Sequence, residues 1–315
     1  MVVEESQSEF SSVESSILRL RMNSGDLSLE EVGNLEDQEL LALARLDAQC
    51  TALQEAGNYT QALEVMEKGL VLRQHFFGSD SDEVRAACKT VGDLCNLLAM
   101  TFLQQENFPI VFELLKKAEI LTETNPAGRA VTLNNLACYH RRLGHLQKAL
   151  SHLNEALAIE ATLLDVPNRA DTHLNMCAVL SQLGRHQGAL EQAQSALILL
   201  HEELFSTNQI NLDEKLDRVA VLGIAYHNVG VEQEFLKKPE LSVHSYKKGA
   251  EVTAQYLGET HGIVVTLRNS LLTAQRSVGR KQAQGQDGIS RFAKIKYHLR
   301  TKLKRRHPSR VATDG

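Results

Sequence analysis

Apolar residues recur at helical spacing along most of this chain. Leu133, Leu136, Ala137 and His140 fall at i, i+3, i+4 and i+7, one face of a helix. After Gly144 the spacing resumes in Leu146, Ala149, Leu150, Leu153, Ala156 and Leu157. A residue without Cβ suits the turn between two such faces, so the pattern predicts a helical hairpin over 130–157. The small residues Ala137, Ala149 and Ala156 let its two helices approach closely. The same line is then written again over 170–197. Asn135 returns as Asn175, Leu143-Gly144 as Leu183-Gly184, Ala149-Leu150 as Ala189-Leu190, and Ala156-Leu157 as Ala196-Leu197. The offset is 40 residues in every case, which marks a repeat array. One such hairpin cannot bury its apolar face alone, so neighbours must stack.

Weaker copies flank the two clear ones. From about Glu36, Leu40, Leu43, Ala44 and Asp47 lead to Cys50, Leu53, Ala56 and Gly57, and a second helix follows from Asn58 with Ala62, Met66, Gly69 and Leu70 in packing places. The next hairpin carries Leu94, Leu98, Ala99 and Phe102, then Val111, Leu115 and Ala118, with Pro109 suited to a first helical turn. Its turn has Glu106 where glycine is expected. A fifth, degenerate copy has Leu222, Ala225, Val229 and Gly230, a Lys237-Lys238-Pro239 turn, then Leu241, Tyr246, Gly249 and Ala250. Residues 204–217 before it read as an insertion or a helix extension. The packing place five residues after each turn residue holds Ala62, Val111, Ala149, Ala189 and Ser242. Residues 264–278 predict a final helix that covers the last apolar face.

A small residue, then Leu-Gly, then two Ala-Leu pairs resembles the tetratricopeptide repeat. The period, longer than the common 34 residues, is similar to the kinesin-light-chain variety. That variety joins repeats with G-x-x-x-x-x-V, present here from Gly78 to Val84 and from Gly258 to Val264. Gly262 stands where the family usually has proline. The resemblance covers roughly 40–279 and implies an all-α fold, a right-handed superhelical solenoid of tetratricopeptide-type helical hairpins. The light chain's coiled-coil heptads are absent, so what is shared is the repeat.

Composition narrows the function classes. Of 315 residues 43% are hydrophobic and 23% charged, ordinary for a globular chain. No run of 18 apolar residues predicts a membrane span, and 1–10 lacks the apolar core of a secretory signal. Five cysteines without a pairing pattern fit a reduced, cytoplasmic setting. Residues 1–37 are acidic and Ser/Glu-rich, the composition of a disordered end. The array is expected over 38–279, a Gly/Gln-rich linker over 280–290, and a basic tail over 291–315. The tail carries +8 and the remainder −13, which suggests an interaction tail.

Catalytic signatures are missing. There is no G-x-S-x-G, P-loop or G-x-G-x-x-G, and the histidines lack metal-ligand spacing, so neither an enzyme, a cofactor, a metal site nor a small-molecule substrate is expected. In tetratricopeptide proteins the first helices line a concave groove, where asparagines hold the backbone of a bound peptide. By that resemblance Asn96, Asn134, Asn135, Asn175 and Asn228 would form a groove for an extended peptide, with Arg141 and Arg142 favouring an acidic ligand residue. The alternative is that some of these amides cap or brace neighbouring helices. The family's carboxylate-clamp subtype is disfavoured, because Asp47 and Thr51 stand where it needs Lys and Asn.

In the tail, Phe292, Ile295, Leu299 and Leu303 write a narrow apolar stripe among Lys294, Lys296, Arg300, Lys302, Lys304, Arg305 and Arg306. Three readings stay open: contact with an anionic surface such as a membrane leaflet or an acidic tubulin tail, a nuclear import signal, or a solvated tail. Aromatic residues for nucleic-acid stacking are few. The resulting expectation is a non-catalytic adaptor or scaffold in a cytoskeletal or ciliary assembly; the alternative is a peptide-binding regulatory sensor in the nucleus.

Overall fold

The computed structural model describes the backbone of residues 29–164, 169–206 and 211–280. Among these residues every regular element is α-helical. The helices are α1 (Leu29–Glu55), α2 (Tyr59–Phe77), α3 (Asp82–Gln104), α4 (Phe108–Leu121), α5 (Pro126–Arg142), α6 (Leu146–Glu160), α7 (Arg169–Gln182), α8 (His186–Ser206), α9 (Leu212–Phe235) and α10 (Pro239–Leu257). Helix α11 covers 262–280. Consecutive helices pair as hairpins, α1 with α2 through α9 with α10. Helix α1 begins at Leu29, ahead of the first periodic residues near Glu36. The tail and most of the acidic N-terminal segment lie outside the described residues.

The chain divides into two compact units, Met1–Arg129 and Ala130–Gly315, and the division falls in the first turn of α5. In the first unit, α1 to α4 pack each on the next. Their interior holds Ala62, Leu63, Leu70, Val91, Leu94, Cys95, Leu98, Ala99, Val111, Leu115 and Ala118. Helix α3 is long and apolar enough, by composition alone, to cross a membrane, yet its apolar residues are the core of this unit. In the second unit one cluster joins Ala137, Ala149 and Leu153 to Met176, Val179, Ala189 and Val229. A second joins Leu200, Leu204 and Val219 to Leu222, Tyr226, Tyr246, Leu267 and Ala274. Helix α11 thus packs on the α9–α10 hairpin. Each buried leucine contributes roughly 2 kcal/mol of transfer free energy.

The five hairpins share one turn. Gly57, Gly144 and Gly184 take φ of 74°, 76° and 70°, and Glu106 and Lys237 take the same left-handed conformation at 59° and 62°. In each, the following N–H donates to the carbonyl five residues back: Asn58 to Leu53, Asn107 to Phe102, His145 to His140, Arg185 to Leu180 and Lys238 to Gln233, at 2.8–3.0 Å. This is the Schellman closure of a helix end. It sets the second helix in a constant register, and all five packing residues Ala62, Val111, Ala149, Ala189 and Ser242 are 0% exposed.

The two G-x-x-x-x-x-V connectors also share a geometry. Gly78 and Gly258 leave their helices at φ of 81° and 80°, and Val84 and Val264 are buried. The predicted insertion at 204–217 is mostly helix. It lengthens α8 to Ser206 and starts α9 at Leu212, with the Asn211 side chain accepting from the Glu214 N–H at 2.8 Å. Leu204 is buried, so the extension belongs to the core.

Candidate functional site

First helices α5, α7 and α9 of the second unit carry the amides. Asn135, Asn175 and Asn228 stand two residues before the small residues Ala137, Cys177 and Gly230, and all three are half-buried. The Asn175 Nδ2 donates to Asn134 Oδ1 at 2.9 Å, linking α7 to α5. Such an amide pair still has donors and acceptors to spare. One turn N-terminal to these positions stand Val131, Asp171 and Ile224, with both apolar side chains exposed. Helical geometry puts i and i+4 on one face, so amides and apolar residues share a surface.

The remaining candidates are placed differently. Asn96 lies in the first unit and is 4% exposed. Its neighbours on the helix face, Gly92 and Ala99, are buried, and the period carries its amide inward with them. An amide so enclosed offers nothing to a peptide, so Asn96 is a packing residue. The side chain exposed at the place of Asn135 on α3 is Leu97. Arg141 and Arg142 occupy the last turn of α5, about 10 Å along the helix from Asn135 at 1.5 Å per residue. Arg142 is exposed and Arg141 is half-buried. Both lie where cations complement the helix dipole. Asp47 on α1 is an acceptor for Arg73, at 2.6 and 2.7 Å. The tail residues Lys294 to Arg306 lie outside the described residues.

Polar pairs unseen in the sequence brace the second unit. Arg218 is buried at the start of α9. Its Nε and Nη2 donate to the Glu203 carboxylate at 2.5 and 2.9 Å, and its Nη1 donates to Asp171 at 3.0 Å. This fork ties α7, α8 and α9 together. The signal was Arg218 itself, four residues before Leu222 on an otherwise apolar stripe. Glu160 is also buried. Thr172 Oγ1 donates to its Oε1 at 2.7 Å, while Oε2 has no protein hydrogen bond. Burial therefore raises its pKa above the ordinary carboxylate range, partly offset by the Thr172 hydroxyl.

Burial pushes the Cys95 and Cys177 thiols up to about 12, and raises Cys50, Cys88 and Cys138 as well, so these thiols do not furnish a thiolate nucleophile at neutral pH. Among the described residues no three His, Cys, Asp or Glu side chains converge on a metal position. His140 stacks on His152 at 5.3 Å, His173 bonds Gln192 at 2.7 Å, and His186 bonds Glu232 at 2.8 Å.

Comparison with known proteins agrees with this architecture. Residues 129–165 match the family model described as Tetratricopeptide repeat. Among solved structures, BtubC (BKLC) from P. vanneervenii is similar at 16% identity, covering 86% of this chain and 96% of that one, with a TM-score of 0.56. The nearly identical tetratricopeptide-like repeats assigned to a Podosopora anserina kinesin light chain align at 15% identity, over 69% of this chain and 97% of that one, with a TM-score of 0.44. No curated protein matches the sequence. Residues 129–165 thus carry a tetratricopeptide repeat, and the described hairpins share the fold of BtubC.

Proposed function

We propose that this array of tetratricopeptide repeats is a non-catalytic scaffold that holds an extended peptide segment of a protein partner along α5, α7 and α9. The observation that carries the reading is the recurring amide face: Asn134, Asn135, Asn175 and Asn228 beside exposed Val131 and Ile224. An amide donates and accepts at once, as an extended peptide bond requires, and an apolar neighbour takes an alternate side chain. Arg141 and Arg142, at the far end of α5, favour an acidic residue at one end of the ligand. The basic tail is a second contact, with an anionic surface such as a membrane leaflet or an acidic tubulin tail. Two weak contacts on one chain raise avidity. The setting we propose is a cytoskeletal or ciliary assembly in the cytoplasm.

The test is partner capture by the double variant Asn135→Ala/Asn175→Ala. Loss of the Asn175–Asn134 bond costs about 1 kcal/mol, so the melt should fall by only a few degrees, while capture of the partner drops at least tenfold. Undiminished capture by a folded double variant would overturn the groove assignment. Removal of 281–315 should leave groove capture intact and abolish sedimentation with anionic vesicles or microtubules.

A further inference from the structure

Helix α11 has the register of a first helix but lacks a second helix among the described residues. Its connector, Gly258 to Val264, repeats that of α3, Gly78 to Val84, at an offset of 180 residues. Carried along the helix, this offset places Leu272 of α11 at the position of Gly92 of α3. In α3 that position faces the hairpin's own second helix: a Cβ on Gly92 would lie 3.0 Å from Thr122 Cγ2 and 3.6 Å from Leu121 Cβ. The α9–α10 hairpin has the same meeting, with a Cβ on Gly223 3.0 Å from Thr253 Cγ2. On α11 the position is open, and Leu272 is 50% exposed, with Val265 two turns earlier on the same face at 43%.

The segment after 280 carries the matching half. The buried stripe of α4 is Val111, Leu114, Leu115 and Ala118, continued by its C-cap Thr122. At an offset of 181 Val111, Leu114, Ala118 and Thr122 become Phe292, Ile295, Leu299 and Leu303, the one apolar stripe in the tail. The α3-to-α11 and α4-to-tail offsets differ by a single residue, which a slightly longer turn absorbs. Helix α3 ends at Gln104, so its register on α11 runs out at 284, and Gly285 and Gly288 follow where the other hairpins turn. Lys296 departs from the pattern, at the place of buried Leu115; its aliphatic stem can lie along the stripe with the ammonium at the edge.

We propose that residues 289–304 are the second helix of a sixth hairpin, which docks the Phe292–Leu303 stripe on the open face of α11. The occupant of that face is then this chain's own tail. Docking orients Lys294, Arg300 and Lys304 together, away from the stripe. Its truth does not depend on any anionic partner; vesicle binding tests that contact separately, and either can fail alone.

Two measurements on the full chain decide it. Amide hydrogen exchange should show residues 291–303 protected at least a hundredfold over free-peptide rates, with protection lost in Leu299→Asp. The double variant Leu272→Cys/Leu303→Cys should form an oxidised, monomeric cross-link that neither single variant forms. Free-peptide exchange through 291–303 overturns the proposal. So does protection without the 272–303 cross-link, which puts the segment elsewhere. A cross-link that appears only between molecules assigns the face to a second copy and overturns it equally.

Discussion

Single residues show most sharply where backbone and packing constrain this chain. A Cβ on Gly230 would collide with the ring of buried Tyr246. Gly230→Ala should therefore lose roughly 3 kcal/mol to overpacking, a drop near 10 °C in the melting temperature. Glu106 holds left-handed backbone at φ 59°, a conformation that disfavours a side chain. Glu106→Gly should raise stability by about 1 kcal/mol in denaturant unfolding, while Gly57→Ala should lower it by a similar amount. Glu160 supplies a pH signature. Its folded pKa lies above the unfolded value because burial disfavours the charge. Stability from this group is fully present below the unfolded pKa and declines as pH rises through the folded one. Glu160→Gln keeps an acceptor for Thr172 and removes the ionisation. The variant should melt higher than the parent at pH 7, with the gap closing toward pH 4.

At the scale of the element, period alone reveals much. The hairpins around Gly144 and Gly184 are plain in sequence because turn, small residues and apolar stripe agree. The hairpins at Glu106 and Lys237 look degenerate, yet they close with the same hydrogen bond. The closure is made by backbone N–H and C=O groups, so it survives a poor side-chain choice at a modest cost, and no residue code reports it. The amides divide for a related reason. Asn135, Asn175 and Asn228 remain partly accessible, but Asn96 stands one residue earlier in the register, shares its face with Gly92 and Ala99 and turns inward; Asn134, at that same earlier register, stays half-buried. A one-residue shift along a helix is a 100° rotation, enough to move a side chain from surface to interior. The Arg218 fork with Glu203 and Asp171 joins residues from three helices, and its partners could not be inferred from spacing.

Across the whole molecule, stability is held locally. Within each unit the hairpins pack on their sequence neighbours, so a lesion should loosen its own surroundings before distant ones. Leu115 is 0% exposed in the first unit. Leu115→Ala should cost about 3 kcal/mol, and amide exchange should quicken through α3 and α4 while 211–280 keeps its protection. Uniform acceleration along the chain would mean a single cooperative body instead.

The Asn175–Asn134 bond has a consequence for any guest on that surface. With the surface empty, it already fixes the orientation of both amides across neighbouring helices. An arriving strand meets pre-oriented donors and acceptors that are still partly unused, so it orders few side chains on docking. Discrimination between guests then falls to shape and apolar fit.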